Sequence, residues 1–223
     1  MIVKVCEDAK KLGIFIGFTE VHSVTVEKNS KLIEMELEKI EEKYKGENPE
    51  TLKDNPVVRA YRDFYWKIGI DPTKIRPSGE ALRRRVSRNG RLPRINNVVD
   101  SGNISSTETL VPIGLYDMDK IVGNPRIILS KGDELFYGIG KKEPEKVSPG
   151  IPIMIDESGK VMHIYPHRDS LLTSITFETK NVLIVSAGVP GVEKDLVFYA
   201  AKLTAELLVK YANGKWNGMV NLG

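Results

Sequence analysis

Four groups of residues in this chain carry chemistry by type and spacing. The first is a cationic run within the stretch DPTKIRPSGEALRRRVSRNGRLPRINNVVDSGNISSTETLVPIGLYD. There Arg83, Arg84, Arg85, Arg88, Arg91 and Arg94 follow one another with no acid between Leu82 and Asn96. A guanidinium is a planar fork of donors suited to phosphate oxygens, and at helical spacing Arg84, Arg88 and Arg91 approximate one face able to follow a phosphate backbone. The plainer alternative is a solvated helix face with intrachain partners such as Glu80. The second group is Asn96, Asn97, Asp100 and Asn103. On a helix, Asn96, Asp100 and Asn103 share a face, where they would hold a ligand's hydroxyl and amine groups or simply cap the helix and tie down a neighbouring loop. The third is Arg168, Asp169 and Ser170 with Thr173, Thr176 and Thr179. This set can line a pocket and position water, or spend its hydroxyls on local backbone. The fourth is Ser186-Ala187-Gly188, small residues closing a buried strand where a ligand can approach the backbone.

The common catalytic signatures are missing. No GxxxxGK[ST] phosphate loop, no GxGxxG after a strand and no GxSxG occurs. Cys6 is the only cysteine. It stands beside Glu7 and Asp8, which do not stabilise a thiolate, and alone it can form neither an intrachain disulfide nor a thiolate metal cluster. The histidines are His22, His163 and His167. The last two are four apart but flank a strand end, where that spacing does not put two ligands on one face. All three are expected on the surface or in loops, with His167 worth following because Arg168-Asp169-Ser170 adjoins it. No metal and no cofactor is expected.

The elements that must carry these groups can be read in order. Ile2–Val5 and Ile14–Phe18 read as short buried strands. Ser30 suits the start of an amphipathic helix over Lys31–Tyr44. Asn55-Pro56 opens a helix over Val57–Ile68 whose aromatic residues Tyr61, Phe64, Tyr65 and Trp66 are read as core. Ser78 is read as the cap of a helix over Gly79–Arg88, ended by Asn89-Gly90. Asn96–Thr109 reads as a further helix, and Pro112-Ile113-Gly114 as the break after it. Strands are expected over Arg126–Ser130, Glu134–Ile139, Ile151–Ile155, Val161–Tyr165 and Asn181–Ser186, then a helix over Glu193–Tyr211. Helices come first and strands second, so the expected class is α+β, mixed β-sheets packed against helices, rather than a doubly wound sheet.

Composition sets outer bounds. The 223 residues suffice for one large domain or two small ones. A hydrophobic share of 41%, a charged share of 28% and a net charge of +3 exclude a disordered chain and do not by themselves mark a nucleic-acid binder. No apolar run reaches the length of about 18 residues that a membrane span needs, so no membrane contact is expected, and the single cysteine fits a cytoplasmic protein.

The segments RPSGEALRRRV, GRLPRINNVVDSGN and TLVPIGLYDMDKI, followed by KGDELFYGIG and HRDSLLTSITFETKNVLIVSAG, closely resemble the freestanding B3/B4-domain proteins. Those are similar to the editing domain of the phenylalanyl-tRNA synthetase β subunit. The resemblance runs from about Val57 to the C-terminus and implies two parts: residues 1–50 packed on the rest, and residues 51–223 as the B3/B4-like unit. It implies partners too, the acceptor end of tRNA and an aminoacyl ester, with hydrolysis of a mischarged ester in trans. The alternative is a non-catalytic RNA- or amino-acid-binding module of the same fold. Asn103 falls at the family's pocket asparagine. Pro112, Ile113 and Asp117 match the Pro-Met-His-Ala-Phe-Asp stretch of bacterial synthetases, with Gly114 where those enzymes carry histidine. Ala187 falls near the small residue that shapes the amino-acid pocket. On this basis Asn103, Asp169 and Ser170, with Thr173 or Thr176, are expected to orient substrate and water. Asn97, Asp100, Pro112, Gly114, Arg168, Ala187 and Gly188 are expected around the substrate, with backbone N–H groups near Gly188 facing the oxyanion. Arg84, Arg88 and Arg91 are expected under the RNA.

Overall fold

Residues 1–28 and 30–223 are described by a computed structural model, and local signals in the sequence account for most of the elements formed. Strand β1 (Lys4–Val5), the one-turn helix α1 (Glu7–Lys10) and strand β2 (Phe15–Val21) precede four helices, α2 (Lys31–Tyr44), α3 (Pro56–Lys67), α4 (Ser78–Asn89) and α5 (Asn97–Thr109). Then come β3 (Ile113–Asp117), β4 (Arg126–Leu129), β5 (Leu135–Phe136), β6 (Glu145–Lys146), β7 (Pro152–Ile155), β8 (Val161–Ile164), β9 (Arg168–Asp169) and β10 (Val182–Gly188). Helix α6 (Lys194–Tyr211) and β11 (Asn221–Leu222) close the chain. The α+β expectation holds. One sheet runs β1-β4-β7-β8-β9 with a parallel β1–β4 pair, a second is antiparallel in the order β11-β2-β10-β3, and β5 pairs with β6 alone. The first fifty residues are woven into both large sheets through β1 and β2.

Every residue of β10 is buried. Its VLIVSAG run is nearly continuous in apolar character because both faces are covered. Leu183, Val185 and Ala187 face Ile127, Met154, Met162 and Tyr165 from the first sheet. Val182 and Ile184 face Val98 on α5 and Ala201, Ala205 and Leu208 on α6. The layers are therefore helices, antiparallel sheet, mixed sheet, and the pocket described below lies in the gap between the sheets.

Helix α5 is buried along most of its length although its sequence is rich in hydroxyls and amides. Its hydroxyls are spent internally: Ser101 donates to Asn97 O at 2.7 Å and Thr109 to Ser105 O at 2.8 Å, while Ser105 reaches Ala200 O of α6 at 2.8 Å. Small side chains also permit close approach. A Cβ on Gly102 would lie 2.9 Å from Leu115 of β3. The polar stretch is thus a tightly packed core helix most of whose hydroxyls bond local backbone, the buried Ser106 hydroxyl being without a partner.

Several sequence readings change. Pro112-Ile113-Gly114 is not a break, since Ile113–Asp117 forms the edge strand β3 paired to β10, with Gly114 opposite Val185. Glycine hid this strand, and a glycine in a strand marks close approach of another group. Trp66 is 57% exposed, so it leaves the aromatic core that Tyr61, Phe64 and Tyr65 form. Ser78 is the first residue of α4 rather than its cap, because Pro77 takes the cap position. At the far end Gly90, at φ +70°, terminates the helix as expected.

Candidate functional site

The site is built on β3. Gly114 and Tyr116 stand two apart and point to the same face, and the Tyr116 phenol folds back over Gly114 so closely that a Cβ there would lie 2.1 Å from its oxygen. The Tyr116 hydroxyl donates to Asp169 Oδ1 at 2.8 Å. The β8–β9 register sets His163 directly opposite Asp169, and His163 Nδ1 lies 2.9 Å from the same Oδ1. A carboxylate only accepts, so Nδ1 carries the proton that faces Asp169. Tyr116, His163 and Asp169 form one hydrogen-bonded unit whose second carboxylate oxygen has no intramolecular partner among the described residues.

Two cavities meet at this unit. The inner one, about 50 Å³, lies between the sheets, with Ile113, Met154, Val185 and Ala187 as apolar walls. Its polar lining is Ser78, Tyr116, His163, His167 and Asp169. The Ser78 hydroxyl oxygen is buried without a hydrogen-bond partner. Burial pushes His167 down to about 4, so its ring is neutral near pH 7. Burial and the neighbouring Asp169 carboxylate hold the Tyr116 phenol well above its usual range, which keeps it a donor. The outer cavity, about 280 Å³, is lined by Asn96, Val99 and Asn103 together with the apolar Ile95, Ile139 and Leu171. Asp169 and Ile113 belong to both cavities. The Asn103 amide makes no side-chain hydrogen bond among the described residues, so its donors and acceptor are free for a ligand.

The structure brings Asn103, Pro112, Gly114, Asp169 and Ala187 to these two cavities. It withdraws the other expected site residues, each for an identifiable reason. Asn97 is a staple: its amide donates to Thr25 O and Tyr211 O, both at 2.9 Å, and its oxygen accepts from Glu27 N. Asp100 accepts from Ile95 N, and burial raises its carboxyl to about 6. Ser170 caps the short 3-10 turn Leu171–Thr173 and donates to Tyr137 O. Thr173 is buried inside that turn, and Thr176 pairs with Thr179, which binds Asp117 at 2.8 Å. Arg168 points away to Glu145 at 2.8 Å and stacks over Phe136. The Ala187 N–H is taken by Pro112 O at 3.0 Å, and Gly188 pairs with Phe15, whose ring lies over it, so no oxyanion donor is free there.

The arginine run is also redrawn. Arg84 is buried and bound to Glu80 at 2.8 Å and Glu50 at 3.1 Å, so it offers no face to a phosphate. Glu80, fully buried, is also gripped by Arg62 through two bonds of 2.8 and 2.6 Å. Arg83 stacks on Tyr44 and donates to Thr107 O and Glu108 O. Arg94 is clasped by Glu34 and Glu41. Arg88 and Arg91 stay exposed beside Glu50 and Glu34, and exposed Arg85 has no ion-pair partner among the described residues.

Three site residues escaped sequence reasoning, Tyr116, Ser78 and His163, while His167 was singled out only for its neighbours. Both histidines were expected on the surface or in loops, yet His163 lies in β8 at 8% exposure and both line the inner cavity. The usable signal was the short interval from His163 to Asp169 through Pro166, since a tight hairpin sets the two opposite one another. Among the described residues no three His, Cys, Asp or Glu side chains cluster to hold a metal ion, and no helix is long and apolar enough to cross a membrane.

Comparison with known proteins bears on the family and the fold. Residues 60–213 match the B3/4 domain family. The chain is 28% identical to the phenylalanine–tRNA ligase beta subunit of Ruegeria pomeroyi over 138 residues, covering 62% of this chain and 17% of that protein. Against the beta subunit of Mycoplasma genitalium identity is 35% over 65 residues, covering 29% of this chain and 8% of the other. The chain thus spans under a fifth of the length of these relatives. An N-terminal fragment of the phenylalanyl-tRNA synthetase beta subunit from Pyrococcus horikoshii superposes with a TM-score of 0.54 at 17% identity, over 99% of this chain and 53% of that fragment. That likeness establishes the fold.

Proposed function

Because the chain belongs to the B3/4 domain family, we propose that it binds the acceptor end of an aminoacyl-tRNA and hydrolyses the aminoacyl ester in trans. The observation that carries this reading is Asp169, which borders both cavities and joins Tyr116 to His163. In this reading the outer cavity takes the terminal nucleoside between its apolar walls, with the Asn103 amide on the ribose or the ester carbonyl. The aminoacyl group enters the inner cavity, and the ester lies at Asp169.

Hydrolysis then follows from the hydrogen-bonded unit. His163 Nε2 accepts a proton from water as its oxygen attacks the ester carbon, and Asp169 stabilises the imidazolium that forms. The Asn103 N–H donors face the developing oxyanion. On collapse the bond from carbon to the ribose oxygen breaks, and the proton on His163 passes to that oxygen. An aminoacyl ester is already activated, so positioning supplies much of the rate. Phosphates of the acceptor stem are assigned to Arg85, Arg88 and Arg91, which remain exposed, in place of Arg84.

A panel of mischarged tRNAs tests the reading. Ester loss above background is expected for at least one, and Asp169→Asn should abolish it while tRNA affinity is retained. Arg85→Ala, Arg88→Ala and Arg91→Ala should instead weaken binding of all tRNAs alike and lower the slope of affinity against salt. Salt-dependent binding with no ester loss from any tRNA would reject hydrolysis and leave a binding module.

A further inference from the structure

We propose that the inner cavity selects a small side chain bearing a hydroxyl, of serine or threonine size, and that Ser78 is the residue that recognises the hydroxyl. This rests on the reading that the aminoacyl group enters that cavity, and it names the substrate class.

Size is the first argument. The inner cavity, about 50 Å³, is far smaller than the outer one, about 280 Å³. A threonyl side chain, with about three heavy atoms, suits this smaller space better than a tyrosyl side chain, with about eight. The cause is visible in β3. The phenol of Tyr116 lies over Gly114, where a Cβ would meet its oxygen at 2.1 Å, and it fills the space an aromatic side chain would need. The ring is held there by its 2.8 Å bond to Asp169 and by complete burial.

Polarity is the second argument. The Ser78 oxygen is buried with no partner, a state that costs free energy until something bonds to it. It is the first residue of α4 and borders the cavity together with neutral His167, whose ring makes no hydrogen bond to another of the described residues. A purely apolar side chain would seal both groups away from water unpaired. A hydroxyl can accept from Ser78 and donate to His167. Threonine answers the apolar wall as well, its methyl group meeting Ile113, Val185 or Ala187.

Threonine and valine are isosteric, so they isolate the hydroxyl. Calorimetric titration with the non-hydrolysable 3′-aminoacylamido-adenosines of threonine, serine, valine and tyrosine reads the preference without turnover. The threonyl compound should bind about tenfold or more tightly than the valyl and tyrosyl compounds. Ser78→Ala, which removes only an unpaired hydroxyl, should bring the threonine-to-valine ratio near one while leaving valyl affinity in place. Tyrosyl binding as tight as threonyl, or a threonine preference indifferent to Ser78→Ala, overturns the proposal. Ester loss from the corresponding tRNAs is measured separately. Loss with an aromatic preference rejects the small hydroxyl side chain and keeps the hydrolase, whereas selective binding without loss rejects the hydrolase and keeps the selectivity.

Discussion

Gly114→Ala is the sharpest structural test of the site. The added Cβ would lie 2.1 Å from the Tyr116 oxygen, 2.6 Å from Cζ and 2.8 Å from Cε2, all well inside contact distance. A flexible side-chain end could yield cheaply, but this ring is 1% exposed between two sheets and pinned to Asp169. Displacing it costs about 1–3 kcal/mol for overpacking. The hydrogen bond lost to a charged acceptor adds about 1.5–3 kcal/mol. The expected destabilisation is therefore about 2.5–6 kcal/mol, read by urea unfolding at pH 7. Tyr116→Phe alone removes only the hydrogen bond, so it should cost the second amount. In the double variant that bond is already gone, while the ring carbons still clash. The double variant should therefore be more stable than the sum of the singles by about 1.5 kcal/mol or more. A Gly114→Ala change within about 0.5 kcal/mol of the parent, or strict additivity with Tyr116→Phe, would refute the packing argument.

Other consequences follow from burial and charge. Glu80→Ala leaves Arg62 and Arg84 buried without their carboxylate and should cost about 3–5 kcal/mol in denaturant unfolding, whereas Arg91→Ala, at a side chain 69% exposed, should change stability by less than about 0.5 kcal/mol. Stability between pH 6.5 and 4 should show two opposed contributions. His167 sits at about 4 in the fold against its usual 6.5, so the unfolded chain takes the proton first and stability falls on acidification through that window. Asp100 sits at about 6 against 3.8, so the folded chain takes the proton first and stability rises on acidification from about pH 6 to 4. Relative to the parent, His167→Gln should lose less stability on acidification and Asp100→Asn should lose more, each by on the order of 1–2 kcal/mol across the window. Parallel curves for all three proteins would show that neither group titrates as its burial implies.

Elements with strong local signals were legible in the sequence. Asn55-Pro56, Asn96 and Asn89-Gly90 punctuate helices through their own capping chemistry, and the apolar run of β10 announces a buried strand. The site was legible only in part. Asn103 and Asp169 stood out as polar residues in suggestive company, and Gly114 as a departure from a family motif. What makes Asp169 a junction is the strand register opposite His163, hinted at by the short interval between them, and the return of Tyr116 over Gly114, which no residue spacing encodes. Hydroxyl density misled, because Ser and Thr serve a packed helix or a tight turn as readily as a ligand.

The arginine run shows the same limit from the electrostatic side. Six arginines without a local acid suggested an open cationic face. Their carboxylates come from elsewhere: Glu34 and Glu41 on α2, Glu47 and Glu50 beyond it, and Glu80 at the head of α4 itself. A buried guanidinium requires a partner, and three-dimensional proximity supplies one wherever the chain returns. Charge density along a sequence therefore identifies residues that need counter-charges without saying whether protein or ligand provides them. Here burial decides residue by residue. Arg83, Arg84 and Arg94 hold α2, α4 and α5 together, and Arg85, Arg88 and Arg91 alone keep the exposure that phosphate binding demands.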